Sequence, residues 1–346
     1  MSTFWKDQPV QRGGGSFEHR ALEASENAIA LPEGFEWSTC ESHELRNLFK
    51  NHYLADPHSF LDYTTELLEW LRDPDPFWNA ALRKRVKGKM KLVGFIAATP
   101  SRTTVHGKTH DTVQINLMCL NASIREKGFA PLLIREITRR AVSRGVHRAV
   151  YTASAKLDGS VTQAMYWHRM INIPKLIDAG FYETDATNHR YYRVNASSHM
   201  HLMEEGDVPR VVAILNAWHA RFELAPEVDE TYVRRLLPRK NLVYSFIEDD
   251  KFACMYRLPY VSRVNSANAI NQWYVLHAAG EGTIRDCVIL AKNLGCDVLT
   301  CIETVFASED DPHVNKFDRG SGSVFYYLYN TEFKQMKTSD VCMAIP

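Results

Sequence analysis

The chain has 346 residues, of which 45% are hydrophobic, and its 41 Lys and Arg residues balance its 41 Asp and Glu residues. This length and composition suit two domains or one large two-lobed domain. The charge balance argues against nucleic acid or an anionic membrane surface as the main partner, although it leaves room for local basic patches.

The cysteine pattern indicates a reducing environment. Seven Cys residues are scattered without a C-x-x-C pair, which favours free thiols over disulfides or a zinc site. The sequence shows neither a signal-peptide pattern nor an apolar run long enough to span a bilayer. We therefore expect a cytoplasmic protein without a metal ion and without a transmembrane segment.

The first half of the chain predicts an arm followed by helices and strands. Residues 1–30 are expected to form an N-terminal arm with little structure of its own. Its adjacent aromatic residues, Phe4 and Trp5, should be buried, either by docking on the body or as a lid over a ligand. Hydrophobic periodicity and turn residues then predict helices at 41–53 and 65–71, a hairpin turn at 86–89, strands at 90–99, 114–120 and 147–153, and a YYRV strand at 191–194.

A strand, a short loop and an amphipathic helix are predicted over residues 114–140, and the loop has the pattern Arg125-x-x-Gly128-x-Ala130. Gly128 and Ala130 are too small to block a close approach, and Pro131 fits the first helical position. Free backbone N–H groups and the helix dipole favour an anion at such a helix start. The loop therefore predicts a phosphate site, with an ordinary strand-to-helix turn as the alternative.

The sequence around this loop also narrows the kind of phosphate ligand. No G-x-G-x-x-G and no G-x-x-x-x-G-K-[ST] pattern occurs, so the usual dinucleotide and triphosphate loops are excluded. The helix that follows is predicted to have one buried apolar face and one exposed charged face. The apolar face consists of Leu133, Ile134, Ile137 and Ala141, and the charged face of Arg135, Glu136, Arg139 and Arg140.

The second half of the chain repeats this order of elements. It predicts helices at 205–222 and 230–237, a hairpin at 242–258, a strand at 272–276, a helix at 283–294 and a strand at 296–301. The loop that corresponds to the phosphate loop, residues 277–282, has one acidic and no basic residue. We therefore expect phosphate to bind only in the first half, which leaves the second half free for another ligand.

Several collinear segments resemble known acyltransferases. The R-x-x-G-x-A pattern resembles the coenzyme A pyrophosphate loop of the Gcn5-related N-acyltransferase superfamily. The chain as a whole resembles the eukaryotic N-myristoyltransferase (glycylpeptide N-tetradecanoyltransferase) family over nearly its full length. The matching segments are FW-x-x-QPV at 4–10, LP-x-GF-x-W at 31–37, KLVGFIAATP at 91–100, IN-x-x-C at 115–119, APLLIREITRR at 130–140, AVYTA at 149–153, YWHR at 166–169 and YYLYN at 326–330.

The resemblance implies an α/β (α+β) fold in which two pseudo-symmetric acyl-CoA N-acyltransferase-like halves share one sheet. That sheet would be mixed, largely antiparallel and flanked by helices. After the arm, the acyl-CoA-binding half is expected at residues 31–195. The peptide-binding half, with a catalytic C-terminus, is expected at residues 196–346, and the protein is expected to be a monomer.

The resemblance also implies an activity, the transfer of a myristoyl group from the co-substrate myristoyl-CoA to the N-terminal glycine amine of a protein. The amine would attack the thioester directly, without an acyl-enzyme. Backbone N–H groups of Leu117 and Met118, at a bulge in the strand, would hold the oxyanion. The base would be the carboxylate of Pro346, and the apolar residues 341–345 predict a docked rather than a frayed tail.

The expected contacts carried over from the family fall into two groups. The peptide contacts are Tyr53, Asp56, Tyr63, Thr152, Tyr166, His168, Gly322 and Val324, of which His168 would bind the glycine amine through water or serve as a structural histidine. The coenzyme A contacts are Thr3, Phe4, Trp5, Leu117, Met118, Cys119, Leu120, Glu126, Gly128, Phe129 and Ala130, to which the charge of Arg125 adds one more. Cys119 would otherwise be a nucleophile or a buried packing residue.

The chain departs from the family at both expected sites. The phosphate loop, Arg-Ser-Lys-Arg in the family, is Arg-Glu-Lys-Gly at 125–128, which predicts weaker coenzyme A binding, partly offset by backbone access at Gly128. The family's Gly-Asp-Gly is Gly-Ser-Gly at 320–322, and the acidic run after Tyr53 is shortened. Both changes predict a weaker preference for basic residues in the peptide. A different acyl chain length, or a non-catalytic acyl-CoA or acyl-glycine binding protein, are the alternative functions.

Overall fold

The computed structural model describes residues 24–53, 59–182, 190–262, 269–308 and 311–345. Fifteen strands lie in these ranges, and thirteen of them form one mixed sheet. The strands are β1 (Phe35–Ser38), β2 (Ser59–Leu61), β3 (Asn79–Val86), β4 (Lys89–Val105), β5 (Lys108–Leu120), β6 (Ala149–Ala153), β7 (Thr162–Met170), β8 (His201–Leu202), β9 (Leu224–Glu227), β10 (Val243–Glu248), β11 (Lys251–Arg257), β12 (Tyr260–Ser262), β13 (Gln272–Ala279), β14 (Val298–Ile302) and β15 (Asp318–Tyr329).

The described helices pack on both faces of this sheet, because separate core clusters join α1 to one face and α3 to the other. None of the helices in the described ranges combines the length and apolarity needed to cross a bilayer. The helices are α1 (Ser42–His52), α2 (Thr65–Leu71), α3 (Phe129–Ser143), α4 (Ile173–Asp178), α5 (Val208–His219), α6 (Glu230–Arg235), α7 (Thr283–Asn293) and α8 (Asp311–Val314).

The sheet contains the repeat that the sequence predicted. The described strands run in the order β1-β3-β4-β5-β6-β15-β7-β14-β13-β11-β10-β8, with β9 beside β4. Among the described pairs only β5–β6 and β13–β14 are parallel. A parallel pair needs a crossover connection, and here α3 and α7 supply it. Each unit follows an antiparallel hairpin, β3–β4 or β10–β11, so the pseudo-symmetric fold is confirmed.

The two halves exchange strands at the centre of the sheet. β15 comes from the end of the chain, but it pairs with β6 and β7 of the first half. β7 in turn pairs with β14 of the second half. The middle of the sheet therefore alternates between the halves, and neither half completes its own sheet. Any site at this centre is built from both.

Helix α3 begins earlier than the sequence predicted. Gly128 is its N-cap and has a φ of 81°, a left-handed conformation that glycine adopts without strain. The first helical residue is therefore Phe129, and the prediction that Pro131 occupies this position was wrong. Proline is tolerated in the third position because the first four N–H groups of a helix have no intrahelical acceptor.

Glu136 was predicted on the exposed face of α3 but is fully buried, with 0% exposure. Its carboxylate accepts hydrogen bonds from Arg139 Nη2 at 2.7 Å, Arg140 Nε at 2.8 Å and the backbone N–H of Ile29 at 3.0 Å. Burial alone would raise the pKa of Glu136, but the bonds from the two arginines hold it below its ordinary value. A paired carboxylate can thus be buried, and this one ties residue 29 to α3.

Two further differences concern strands. The predicted YYRV strand at 191–194 is wrong, because residues 191 and 192 form a turn and residues 193 and 194 belong to no strand. Tyr192 holds this turn in place, since its hydroxyl donates to Asp318 at 2.6 Å and its carbonyl accepts from Arg169 at 2.8 Å. The sequence analysis also missed β7, whose polar residues, among them His168 and Arg169, hide a strand at the centre of the sheet.

Candidate active site

A cavity of about 600 Å³ lies where the two halves meet. Its walls come from β5, α3, β6 and β7 of the first half, and from β13, β15 and the C-terminal tail of the second. The parallel pairing of β5 with β6 ends at Ile115 and Tyr151, so the two strands separate beyond that point. The cavity passes through this gap, because it is lined by Ile137 on the α3 side and by Tyr53 on the α1 side.

Strand β5 bulges at the cavity wall. Asn116 and Cys119 keep their partners in β4, but the two residues between them, Leu117 and Met118, face the single residue Ile96. Leu117 has a φ of 51°, a conformation that costs a non-glycine residue about 1–3 kcal/mol. A bulge of this kind frees backbone groups from the strand ladder. Since both bulge residues line the cavity, these backbone groups are freed at its wall.

The start of α3 is open to a ligand. A Cβ built on Gly128 would meet no atom within 4 Å. No side chain caps the helix, and its first turn carries no acidic residue. The loop before it is held by Asn121, whose side chain accepts from the N–H of Ser123 at 2.9 Å. The backbone N–H groups at this helix start are therefore exposed in the way that an anion site requires.

The two cations of the loop also donate to backbone carbonyls of the loop, β5 and α1, a use that the sequence did not predict. Arg125 Nε donates to the carbonyl of Leu120 at 3.1 Å, and its Nη2 donates to the carbonyl of His52. The ammonium of Lys127 donates to the carbonyl of Ser123 at 2.7 Å. The positive charge of the loop is thus partly committed to holding the loop in shape.

Buried tyrosine hydroxyls contribute to the polar lining of the cavity. Burial raises the pKa of Tyr53 to about 12, and it also raises those of Tyr63, Tyr166, Tyr256 and Tyr274. All five side chains are therefore neutral near pH 7. Among the described residues that line the cavity, none is Asp or Glu. Such a lining suits an apolar chain and a peptide backbone better than a strongly basic peptide.

His168 lies in β7 and is held on both edges of its ring. Burial lowers its pKa to about 4, so the imidazole is neutral near pH 7. Its Nδ1 lies 2.9 Å from Thr300 Oγ1, which also accepts from Gln272 Nε2 at 2.8 Å. On the other edge, a Cβ built on Gly320 would lie 2.7 Å from His168 Nε2. Only glycine at this position leaves room for the ring.

The C-terminal tail enters the cavity. Val341 and Met343 are buried, with 1% and 2% exposure. The carbonyl of Met343 accepts hydrogen bonds from Tyr326 and Thr304, at 2.5 and 2.8 Å. The next residues, 344 and 345, line the cavity. The described part of the tail is therefore docked, as its apolar sequence predicted.

The structure brings most of the predicted peptide residues together but separates them from the loop. Cys119 is buried, and burial raises its pKa to about 12, which favours the packing role over the nucleophile. Cys119, Leu120, Arg125, Glu126, Gly128, Phe129 and Ala130 lie outside the cavity lining, at the end of β5, in the loop and at the start of α3. Leu117, Met118, Tyr53, Tyr63, Thr152, Tyr166, His168, Gly322 and Val324 line the cavity. Thr3, Phe4, Trp5, Asp56 and Pro346 lie outside the described residues.

The sequence analysis missed the polar residues that surround His168. Gln272 and Thr300 are 3% and 0% exposed, and Gln272 Nε2 also donates to the hydroxyl of Tyr274 at 3.1 Å. Gln272 and Tyr274 are two residues apart in a strand that is otherwise mostly apolar, which places them on one face. This spacing of polar residues in a buried strand is the sequence signal from which the polar surroundings of His168 could have been predicted.

The fold and the site define a class of protein. Two β–α–β units, a bulged strand beside an open helix start, and a largely apolar cavity between separating strands are the features of a two-half acyl-CoA-dependent N-acyltransferase. Family models for the N-terminal and C-terminal domains of Myristoyl-CoA:protein N-myristoyltransferase match residues 18–164 and 182–342. The chain belongs to the N-myristoyltransferase family, and it is an acyltransferase of that class.

Individual relatives agree with this assignment. Glycylpeptide N-tetradecanoyltransferase 1 of Arabidopsis thaliana is 31% identical, over 96% of this chain and 86% of its own length. Glycylpeptide N-tetradecanoyltransferase 2 of Bos taurus is also 31% identical, over 94% of this chain and 73% of its own length. The crystal structure of Saccharomyces cerevisiae N-myristoyltransferase with bound MyristoylCoA has a TM-score of 0.86 at 24% identity, and the match covers 96% of this chain and 93% of that one. This likeness shows that the two chains share a fold.

Proposed function

We propose that this protein transfers a myristoyl group from myristoyl-CoA to the N-terminal glycine amine of a polypeptide. The observation that carries the proposal is that one cavity is lined both by the β5 bulge, Leu117 and Met118, and by the docked tail, Ala344 and Ile345. Acyl transfer from a thioester needs donors for an oxyanion and an acceptor for the proton of the amine. The bulge and the tail are suited to supply one each.

In the proposed reaction the glycine amine attacks the carbonyl carbon of the thioester directly. The C–N bond forms, the C–S bond breaks, and the proton that the attacking nitrogen then loses goes to the sulfur, so that coenzyme A leaves as the thiol. Negative charge develops on the carbonyl oxygen, where the backbone N–H groups of Leu117 and Met118 would stabilise it. Loss of one such donor typically costs about 3–4 kcal/mol of transition-state stabilisation.

The α-carboxylate of Pro346, which follows the docked Ile345, would take up the proton of the incoming amine. In water a carboxyl with a pKa of about 3.5 is a weak base toward an α-ammonium with a pKa of about 8. Burial disfavours both charged forms and brings the two values together. An Ala appended after Pro346 should therefore abolish most turnover and leave acyl-CoA binding intact. Undiminished turnover by this variant would refute the terminal base.

The remaining predicted residues fall into two proposed roles. His168 would contact the glycine amine through water, since a neutral imidazole does not repel an ammonium. Tyr53, Tyr63, Thr152 and Tyr166 would line the peptide groove together with Gly322 and Val324. The loop and the start of α3, from Arg125 to Ala130, would hold the pyrophosphate of coenzyme A.

The activity can be tested with the full chain, myristoyl-CoA and a peptide that begins with Gly. We expect release of free coenzyme A and a peptide whose mass has increased by one myristoyl group, and no reaction with a matched peptide that begins with Ala. Tight binding without turnover would indicate a non-catalytic binding protein. Faster turnover with a shorter acyl-CoA would indicate another chain length, because each buried CH₂ contributes about 0.8 kcal/mol.

The peptide preference is a separate part of the proposal. No acidic side chain occurs among the described residues that line the cavity, so none of these residues offers a basic peptide residue an ion-pair partner. We expect that replacing Lys by Gln at positions distal to the substrate glycine changes kcat/KM little. A peptide panel in which Lys is strongly favoured at one of these positions would contradict this part and leave the acyl transfer itself standing.

A further inference from the structure

The C-terminal tail is fixed in register before it reaches the cavity. The N–H of Glu223 donates to the carbonyl of Asp340 at 2.8 Å, and the N–H of Cys342 donates to the carbonyl of Leu224 at 2.9 Å. Leu224 and Val341 also form a parallel bridge. These contacts hold the tail beside the start of β9. They end two residues before the part of the tail that lines the cavity.

A second point of attachment lies at Met343, directly before that part. Its carbonyl accepts hydrogen bonds from the hydroxyl of Tyr326, in β15, at 2.5 Å and from that of Thr304, in the turn after β14, at 2.8 Å. Tyr326 and Thr304 are named the tail clamp below. A carbonyl oxygen has two lone pairs, and the clamp provides a donor for each. The two donors come from different elements, so the oxygen is fixed in position.

The tail clamp lies in the core. Tyr326 and Thr304 are 0% and 1% exposed, and burial raises the pKa of Tyr326 far above neutrality, so its hydroxyl remains a donor. Neither residue lines the cavity. Any influence of the clamp on a bound substrate therefore passes through the backbone of the tail.

The length of the remaining tail limits where its end can lie. Ala344 and Ile345 line the cavity together with the β5 bulge, and the chain ends at Pro346. Three residues span at most about 10 Å. A carboxylate at this distance from a fixed carbonyl has few positions open to it, because each additional free residue would add conformational entropy.

We propose that the tail clamp positions the terminal carboxylate for proton transfer, an inference that rests on the proposed function. A general base must lie within hydrogen-bond distance of the proton that it takes up. Misplacement of a catalytic group by about 1 Å lowers a rate by up to about 100-fold. Tyr326 and Thr304 are thus positioning residues, which touch neither the amine nor the thioester and act through the carbonyl of Met343.

The first test removes the two hydroxyls and keeps the side-chain shapes. The variant Tyr326→Phe/Thr304→Val should lower kcat about 100-fold. Its KM for a peptide that begins with Gly and its Kd for myristoyl-CoA should stay at the wild-type values. Each single variant keeps one of the two donors and should show a smaller loss of kcat, which tests the clamp even if the double variant does not fold.

A matched control removes one tyrosine and one threonine hydroxyl from the core without affecting the tail. Tyr327 is 1% exposed, and its hydroxyl accepts from the N–H of Leu157 at 2.6 Å. Thr283 is also 1% exposed, and its hydroxyl donates to carbonyls at the start of α7. The variant Tyr327→Phe/Thr283→Val should therefore keep the wild-type kcat.

A second test separates positioning from a general effect on the fold. In the chain with an Ala appended after Pro346, the carboxylate is already displaced. If the clamp acts through this carboxylate, adding Tyr326→Phe/Thr304→Val to the extended chain should lower its residual single-turnover rate no further. Two independent effects would instead multiply.

The inference is overturned if the clamp variant keeps the wild-type kcat, if the control variant loses as much, or if the clamp substitutions cause their full loss in the extended chain as well. It is also overturned, with the acyl transfer left standing, if the extended chain turns over as fast as the wild type. Absence of turnover by the wild type would refute the proposed function itself.

Discussion

The two β–α–β units of the sheet share a backbone and differ in what covers the start of the helix. Gly128 and Gly282 cap α3 and α7 with φ values of 81° and 77°. A Cβ built on Gly128 would meet no atom within 4 Å, and one built on Gly282 would reach only Lys251 Nζ, at 4.0 Å. One built on Gly280, two residues before the cap, would meet Lys251 at 2.9 Å. Lys251 also lies 3.5 Å from Asp286, in the first turn of α7. The first helix start is open, and the second is covered by the protein's own ion pair.

This difference shows that a repeated backbone does not imply a repeated site. An anion needs both free N–H groups and room to approach them. The α7 unit keeps the turn but packs Lys251 against the loop at Gly280. In the same unit, the hydroxyl of Thr283 donates to the carbonyls of Ala279 and Gly280, each at 2.8 Å. The sequence predicted this asymmetry from charge alone, and the structure adds the packing of Lys251 on the loop and its ion pair with Asp286.

The largest expected difference between the units is in how the helices are anchored. Glu136 in α3 is fully buried beside Arg139 and Arg140, whereas the side chains of Asp286 and Lys251 are 14% and 31% exposed. Glu136→Leu should lower the free energy of unfolding by about 3–5 kcal/mol, because it removes a fully buried carboxylate and leaves two arginines that are only 14% exposed without it. Asp286→Leu should cost about 1 kcal/mol or less. Urea denaturation measures both, and equal losses would contradict the comparison.

The next largest effect concerns coenzyme A affinity. Gly128→Asp would place a carboxylate at the open helix start, where it repels a bound phosphate. Aspartate tolerates the left-handed backbone better than most residues, so the fold should be kept. We expect an affinity loss of about 100-fold, or roughly 2.7 kcal/mol. Gly282→Asp is the matched change in the other unit and should leave the affinity unchanged. A similar loss in both variants would mean that the two helix starts are not functionally distinct.

The peptide side of the cavity can be tested separately from the coenzyme A side with a second pair of glycine variants. Gly320→Ala would bring a Cβ to 2.7 Å from His168 Nε2, whereas Gly322→Ala meets Tyr166 only at 3.4 Å. Displacement of the His168 ring should lower kcat/KM for the peptide roughly tenfold, with coenzyme A affinity unchanged. Gly322→Ala should have a much smaller effect. Equal activity of the two variants would remove His168 from the proposed peptide site.

The sequence predicted the order of elements well where the pattern is local. The helix predicted at 65–71 is α2, Thr65–Leu71. The prediction is right because both signals are local: the apolar residues have helical spacing, and the N-cap, Thr64, immediately precedes the first helical residue. Strands β4 and β5 extend well beyond the predicted 90–99 and 114–120. Their outer parts are rich in Thr, His and Lys and lack a clear apolar alternation. The pairing of the two strands, rather than burial, extends them.

The candidate site depended on contacts that no local pattern contains. Thr300 lies 132 residues from His168, and the segment at Ile29 is 107 residues from Glu136. The bulge at Leu117 and Met118 was expected only through the family resemblance, since neither residue is polar. Site residues of this kind are fixed by topology, and a single sequence reveals them only when it resembles a known family.

The smallest expected effect concerns acid stability and compares α5 and α7 with α3. His277 lies in β13, and its Nε2 lies 2.6 Å from the hydroxyl of Tyr232. His219, in α5, has its ring centre 5.9 Å from that of His277. Burial lowers the pKa of His219 to about 4 and that of His277 to about 3. Both buried imidazoles belong to the second half. Helix α3 of the first half contains neither of them and serves as the reference for the measurement.

The sign of the effect follows from proton binding. In the unfolded chain both histidines titrate near pH 6.5, so between that value and their folded pKa the unfolded state binds more protons. Stability is therefore complete above about pH 7 and decreases as the pH falls, by roughly 1 kcal/mol for each histidine at pH 6. Hydrogen exchange, corrected for its intrinsic pH dependence, should show earlier loss of protection in α5 and α7 than in α3. His219→Leu should reduce the acid effect, and a change at the exposed His201 should not. Earlier loss of protection in α3 would show that acid acts first on the other half.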